Sequence, residues 1–280
     1  MLGLIIRIIS GDYFVKCDDQ IIKCKPLGIF RHKKITPKVG DNVVVKDNTI
    51  IEIKERKNEL IRPVVANIDK VFIVTSLVEP DLNLHLLDRI ISQAEYNNIE
   101  SILVFSKTDL VDIENYKEVI NYYESIGYKT YLSPNDFELI KKEIEGNICA
   151  VAGQSGVGKS TLINLFDDFN IKTDEISKAL GRGKHTTRCS ELLPVGSGYI
   201  ADTPGFGTVD LDMDLVTLSQ TFVEFFECKC KFNPCLHLNE PHCLVKEKVE
   251  KKVEKNEIMK SRYDNYLDFV KEIKNKKERY

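Results

Sequence analysis

The strongest constraint on this chain is the order of three short motifs. Gly153-Gln154-Ser155-Gly156-Val157-Gly158-Lys159-Ser160 satisfies every fixed position of the phosphate-binding loop G-x-x-x-x-G-K-[ST]. Ser106-Lys107-Thr108-Asp109 is the best match to a guanine-reading [N]-K-x-D motif, and it lies upstream of that loop. In conventional GTPases the base-reading motif lies far downstream. Asp202-Thr203-Pro204-Gly205 follows the loop, as such a motif normally does. The order describes a GTPase domain cut and rejoined elsewhere, with its switch segments running toward the C-terminus.

The flanking patterns suit that reading. Asn147–Ala152 is an apolar strand that feeds the loop, and Thr161–Leu165 continues it as a helix. Val71–Thr75 and Ser101–Phe105 are short apolar runs of the kind found in buried parallel strands. Between them, residues 83–97 place Leu86, Ile90, Ile91 and Ala94 at helical spacing. The stretch from about 66 to 210 therefore predicts a doubly wound α/β sheet.

Before it, five strand-like runs crowd into residues 4–53, separated by turn signals such as Ser10-Gly11-Asp12 and Gly40-Asp41. They predict a small barrel of the oligonucleotide-binding (OB) or SH3-like kind. After it, polar helical patterns bracket a Cys/His cluster, and residues 246–280 predict a helix with Tyr263, Tyr266, Leu267, Val270 and Ile273 as its apolar stripe. The expected fold class is multi-domain α/β: an OB-like β-barrel over 1–63, a circularly permuted P-loop GTPase domain over 64–210, and a mostly helical zinc-binding domain over 211–280.

Each motif has its own chemistry. The glycines of the loop allow backbone N–H groups to turn inward on a polyphosphate at the positive end of the following helix. Lys159 is placed to reach the β- and γ-phosphates and the Ser160 hydroxyl to ligate Mg²⁺, with Thr161 completing the contact set. Asp202 can hold Mg²⁺ through water, and Gly205 lets the backbone approach the γ-phosphate. Asp109 can accept the paired N1–H and N2–H₂ donors of guanine, which adenine lacks, with Lys107 over the base. Ser106 stands where the motif normally has Asn, and Ser133 is a candidate for a further loop over the base.

Between the loop and Asp202 lies Leu180–Arg188, a glycine-rich and basic segment. A mobile loop here must supply a Thr for Mg²⁺ and the γ-phosphate, and Thr186 or Thr187 is available. Phe206 stands where many GTPases carry a water-orienting Gln, so another group must orient water, and His185 is the nearest candidate. The candidate catalytic set is His185, Lys159 and Thr187, with slow unaided hydrolysis expected.

Of the 8 cysteines, four fall within residues 228–243 beside His237 and His242. Cys230, Cys235, His237 and Cys243 offer three thiolates and an imidazole, a closed tetrahedral set for one structural Zn²⁺, with Cys228 and His242 as alternates. Such crowding favours metal over disulfide in a reducing compartment. Met1–Arg7 meets a charge too early for a signal peptide, and no stretch approaches the roughly 20 apolar residues of a membrane helix, so a cytoplasmic location without membrane partners is expected.

The net charge of −3 hides a gradient. Residues 1–65 hold 13 Lys/Arg against 8 Asp/Glu and residues 245–280 hold 12 against 8, which leaves the middle strongly acidic. Basic ends around an acidic middle suit a nucleotide switch carried between RNA-facing modules, and Arg31-His32-Lys33-Lys34 is the local candidate for phosphate contact.

Taken together, the permuted order, Gly153–Thr161, Gly181-Arg182-Gly183-Lys184-His185-Thr186-Thr187, Asp202–Gly205 and the C-x4-C-x-H-x5-C cluster at 230–243 resemble the ribosome small-subunit-dependent GTPase family RsgA, also called YjeQ or YloQ. The resemblance spans nearly the whole chain. It implies an N-terminal OB-fold, a permuted GTPase domain and a C-terminal zinc domain. It further implies GTP/GDP, Mg²⁺ and one Zn²⁺ as cofactors, and His185 as the catalytic histidine. The implied partners are the 30S ribosomal subunit, its 16S rRNA and other assembly factors, for a chain acting as a monomer. Hydrolysis would be stimulated by the subunit, would release the protein and would help eject other assembly factors. Two departures stand out: Ser106 for Asn, and His242 where the family often has Gly. A P-loop kinase or ATPase acting on a small molecule and a non-catalytic nucleotide-holding RNA scaffold are the competing readings.

Overall fold

The computed structural model describes residues 1–32, 35–60, 64–167, 191–202, 210–226, 228–250 and 257–277. They fall into two compact units. The first holds Met1–Phe72, Asn135–Ala152 and the described residues of 158–206; the second holds Ile73–Pro134, Gly153–Val157 and the described residues from 210 onward.

The first unit begins with a closed five-stranded barrel. Its strands are β1 (Leu2–Ile9), β2 (Asp12–Cys17), β3 (Gln20–Pro26), β4 (Asn42–Lys46) and β5 (Thr49–Ile53), with a short helix α1 (Ile29–His32) between β3 and β4. β1, β2 and β3 form an antiparallel meander, β3 pairs parallel with β5, β5 pairs antiparallel with β4, and β4 closes on β1. Alternation builds the interior: Ile5, Val15, Cys17, Val43, Val45 and Ile50 are buried. The expected OB-like barrel is present, and full closure leaves it no free edge of its own. Beyond it, Asp41 is fully buried and accepts from Arg56 Nε at 2.7 Å, Arg56 Nη2 at 2.8 Å and the Lys38 amide at 2.7 Å. That fork ties the chain leaving the barrel to the β4 entry turn. A two-stranded ribbon, β6 (Glu59–Leu60) with β7 (Val65–Ala66), follows.

β1 has a second role. Its register shifts between Ile5 and Arg7, and past that bulge Arg7 pairs with Glu191. This brings in β12 (Glu191–Val195), β13 (Gly198–Asp202) and, parallel to β13, β11 (Ile148–Ala152). Helix α4 (Phe137–Ile144) packs on this face through buried Ile140 and Ile144, and Phe137 stacks on Phe166 of α5 (Lys159–Asp167) at 5.0 Å.

The second unit contains the end of β8 (Lys70–Ser76), then α2 (Leu84–Tyr96), β9 (Glu100–Ser106), α3 (Lys117–Ser125) and β10 (Lys129–Leu132). β10 runs parallel to β9, in the order β10-β9-β8. Asn83 caps α2, its side chain accepting from the Leu86 amide at 3.0 Å. Of the apolar residues expected on this helix, Ile90, Ile91 and Ala94 are buried, but Leu87 is buried rather than Leu86, and Asp88 is buried with them.

The C-terminal residues of this unit form α6 (Leu215–Gln220), α7 (Val223–Phe226), α8 (Leu244–Val249) and α9 (Lys260–Lys277). The tail is thus divided between α8 and α9 in place of the one helix expected from 246 to 280. Tyr266, Val270 and Ile273 of the expected stripe are buried with Phe222, Phe225 and Phe269 in one apolar core, and Tyr263 and Leu267 pack against it half-buried. Among the described residues, no helix is long and apolar enough to cross a membrane.

Candidate nucleotide site and Cys/His cluster

β11 delivers the chain into the phosphate loop with Cys149, Ala150 and Ala152 fully buried. At the loop's first position the backbone leaves no space for a side chain. Gly153 has φ +140°, and a Cβ there would lie 2.1 Å from the Val74 carbonyl oxygen at the end of β8. Gly156 and Gly158 also take positive φ, +84° and +95°, the turns that aim successive N–H groups to one side. Val157 between them is buried, and the loop runs into α5, whose first helical bond joins Leu162 N–H to Gly158 C=O at 2.9 Å. Lys159 begins that helix, and burial pushes its ammonium below the usual lysine range. A polyphosphate beside it would work in the opposite direction. Ser160 and Thr161 follow on the first turn and are exposed.

The base-reading motif ends β9. Ser106 is buried and donates from Oγ to the Val157 carbonyl at 2.6 Å. At this departure from Asn, the hydroxyl fastens the end of β9 to the phosphate loop. Lys107 takes a left-handed conformation at φ +59°, and its Nζ donates to the Glu79 carbonyl. Glu79 and Pro80 sit over the loop as well, since the Pro80 ring would be 3.7 Å from a Cβ on Gly156. Thr108 Oγ donates to the Ser133 carbonyl at 3.0 Å, which draws the turn after β10 onto the motif. Ser133 N–H extends the β9–β10 ladder by donating to Phe105 C=O at 2.8 Å. Asp109, in the single 3-10 turn Thr108–Leu110, projects an exposed carboxylate. Base motif, Ser133 turn and the first half of the phosphate loop are thus bonded together within one unit.

Asp202 is the last residue of β13, opposite Glu191. Gly205, Phe206, Arg182, His185, Thr186 and Thr187 lie outside the described residues, as do Lys33 and Lys34.

In the second unit, Cys230, Cys235, His237 and Cys243 bring one ligand atom each to within 4.8 Å of one another. His237 Nδ1 is 3.4 Å from Cys243 Sγ and 3.7 Å from Cys230 Sγ, while Cys243 Sγ lies 4.0 Å from Cys230 Sγ and 3.9 Å from Cys235 Sγ. A tetrahedron with Zn–S near 2.3 Å and Zn–N near 2.0 Å has edges of about 3.5–3.8 Å. The four atoms therefore surround a space of zinc's size. Burial pushes the Cys243 thiol up to about 12, and a bound cation would work in the opposite direction. Outer contacts orient the set: Glu240 accepts from the Leu236 and Leu238 amides at 2.8 and 2.7 Å, folding the chain around His237. Tyr263 and Tyr266 of α9 donate their hydroxyls to the His237 and Leu236 carbonyls at 2.6 and 2.5 Å. Cys228 is not among the four; its thiol points to the Glu224 carbonyl at 3.6 Å. His242 also stays outside the set.

One buried group escaped the sequence reading. Arg262, on α9, is 1% exposed and forms ion pairs with Asp88 of α2 and Glu224 of α7. Burial opposes its charge, but Glu224 and Asp88 outweigh that and hold the guanidinium well above its usual range. The signal was present in the spacing: Asp88 falls inside the apolar stripe of its helix, and Arg262 lies one turn from Tyr266.

A strand, a glycine loop and a helix, with a base-reading strand end that precedes them in sequence yet is bonded to the loop, define a circularly permuted nucleotide-binding protein of the P-loop class. Comparison with known proteins narrows this. A family model described as RsgA GTPase matches residues 53–212, and one described as RsgA N-terminal domain matches residues 2–51. The chain belongs to the RsgA GTPase family. It is 44% identical to the small ribosomal subunit biogenesis GTPase RsgA of Bacillus cereus, over 99% of each chain. It is 43% identical to the protein of that name from Halalkalibacterium halodurans, over 99% of this chain and 98% of the relative. Among solved structures, the circularly permuted GTPase YloQ superposes with a TM-score of 0.83 at 37% identity, over 100% of this chain and 96% of the other. YjeQ from Thermotoga maritima gives 0.80 at 32% identity, over 97% of each.

Proposed function

We propose that this chain is a GTP hydrolase acting in the biogenesis of the small ribosomal subunit, a slow enzyme until the subunit binds it. The observation that carries the nucleotide reading is the Ser106 Oγ bond to the Val157 carbonyl, which joins a guanine-reading strand end to a phosphate loop. The names of its relatives, which describe small-subunit biogenesis GTPases, supply the partner.

In this reading Asp109 accepts the paired donors of guanine, Lys107 lies along the base, and Ser106 and Thr108 hold that motif in place. Gly153–Gly158 present N–H groups to the phosphates, Lys159 neutralises charge between the β- and γ-phosphates, and Ser160 and Asp202 would hold Mg²⁺. When bound, Mg²⁺ screens the phosphate oxygens as charge develops on them. Thr187 and Gly205 act as γ-phosphate contacts and His185 as the group that orients water. The three-part division into an RNA-binding barrel over 1–63, a GTPase domain over 64–210 and a zinc domain over 211–280 belongs to the same proposal. So do binding of 16S rRNA, release of other assembly factors on hydrolysis, action as a monomer and a cytoplasmic location.

Hydrolysis of GTP measured with and without purified small subunits, with ATP and large subunits as controls, tests this. Strong stimulation by small subunits alone is expected, abolished by Lys159→Ala. Steady ATP turnover without ribosomal material would replace the proposal with a small-molecule kinase or ATPase.

A further inference from the structure

A concavity of about 270 Å³ opens in the C-terminal part of the second unit, beside the Cys₃His cluster. Val216, Gln220, Phe226, Lys229, Phe232 and Asn233 line its mouth. Phe226 is 67% exposed and Phe232 43% exposed, although the same sequence places Phe222 and Phe225 deep in the adjoining core. Among the described residues, two rings in solvent within seven positions leave contiguous apolar surface of the kind that marks a binding site. Their positions are set by the cluster. Phe225, next to Phe226, packs edge-on against His237 at 5.0 Å, and Phe232 lies in the loop between ligands Cys230 and Cys235.

The chemistry of the rim selects the occupant. Gln220 and Asn233 are exposed side-chain amides, each offering a donor and an acceptor, and Lys229 is an exposed cation. No carboxylate occurs among the described lining residues. The volume lies just below the range of pockets that enclose whole small ligands, roughly 300–1,000 Å³, and suits one planar group. Aromatic faces, amide edges and a lysine together match an unpaired nucleobase with its phosphate; bases inside a duplex are stacked out of reach. An apolar peptide would leave the amides and the lysine without purpose.

We propose that this concavity binds a single unpaired RNA base, stacked on Phe226 and Phe232, read at its edge by Gln220 and Asn233, with the adjoining phosphate facing Lys229. The proposed GTPase function does not require it; that reading only names where the RNA strand comes from.

The test uses the full-length, zinc-loaded protein and short single-stranded RNA carrying 4-thiouridine, with photo-cross-links mapped by mass spectrometry and affinity followed by fluorescence anisotropy. Cross-links within residues 226–233 are expected. The double variant Phe226→Ala/Phe232→Ala should lose them while any cross-links to residues 1–60 and basal GTP hydrolysis stay unchanged. Affinity for the single strand should fall about tenfold for each ring removed, with Phe226→Tyr retaining it. Zinc content and circular dichroism confirm that each variant is folded. Cross-links absent from 226–233 in the unmodified protein, or retained in the double variant, would overturn the assignment. So would a double variant that keeps its RNA cross-links but no longer associates with small subunits, which would give the surface to a protein partner. Cross-linking needs no GTP turnover, so failed hydrolysis in the same preparations bears on the GTPase reading alone.

Discussion

Arg262 and Asp88, 174 positions apart in the chain, meet at 2.6 Å with both side chains withdrawn from water. Around the pair, Glu224 accepts from Arg262 Nε at 2.5 Å, Tyr123 and Asn265 each donate to Asp88 at 2.7 Å, and the Phe222 ring lies 4.8 Å from the guanidinium carbon. A charged core of this kind does not by itself add stability over an apolar one, because desolvation offsets the attraction. What it adds is intolerance of loss. It fastens α9 and α7, which adjoin the Cys₃His cluster, to α2 and α3, which flank β9.

Arg262→Ala should therefore destabilise the protein by about 3–5 kcal/mol, since two buried carboxylates lose their counter-charge. Urea unfolding of the variant measures this. Arg262→Ala combined with Asp88→Asn and Glu224→Gln should recover part of the loss, and a cost that stays additive would show the network is uncoupled.

Ser106→Ala removes the donor to the Val157 carbonyl and leaves that oxygen buried without it. A loss of about 1–3 kcal/mol is expected, together with weaker binding of GDP. Calorimetric titration with GDP, alongside a melting curve, separates this from a change that leaves nucleotide binding intact.

On the proposed reading, Asp109→Asn replaces a carboxylate that would accept two guanine donors with a group that can accept only through one oxygen. GDP affinity should fall at least tenfold while affinity for inorganic polyphosphate stays the same. Equal losses for both ligands would mean that Asp109 shapes the site without reading the base.

Cys243→Ser removes the sulfur nearest the other three ligand atoms. The purified protein should then hold less than one zinc per chain, measured by chelator release, and the C-terminal helices should become protease-sensitive. The Tyr263 and Tyr266 bonds to carbonyls at 237 and 236 link the loop to α9, so cleavage should reach that helix as well.

Glu272 offers a test by pH. The two parallel bonds from Arg89, both 2.7 Å, hold its carboxyl below the ordinary value of 4.5. A depressed carboxylate contributes stability that is full above the unfolded value and disappears as pH falls through the folded one. The melting temperature of the wild type should exceed that of Glu272→Gln at pH 6, and the gap should close as pH falls below 4.5 and through the lowered folded value.

Much of this molecule is legible in its sequence. The barrel strands announced themselves through alternation and turn residues, and the phosphate loop and the Cys/His set through fixed spacing, because their chemistry tolerates few other arrangements. Ser106 was legible only as a departure; its worth depends on the position of one carbonyl 51 residues away, which no local pattern encodes. Arg262, Asp88 and Glu224 were hidden among 40 basic and 43 acidic residues, where nothing but burial distinguishes them. The break between α8 and α9 was missed for a related reason: residues 246–280 are rich in good helix formers throughout, and propensity alone gives no stop signal there.

The bulge in β1 sets a limit on how this architecture can be taken apart. One strand closes the barrel through its first half and borders β12 through its second. Excising residues 1–53 as though they were a detachable bead would leave β12 paired with β13 alone and bare its other side where Glu191 meets Arg7, an edge inviting aggregation. The barrel is better regarded as the selvedge of the sheet, woven into the same cloth, and a soluble truncated enzyme would need a replacement strand there.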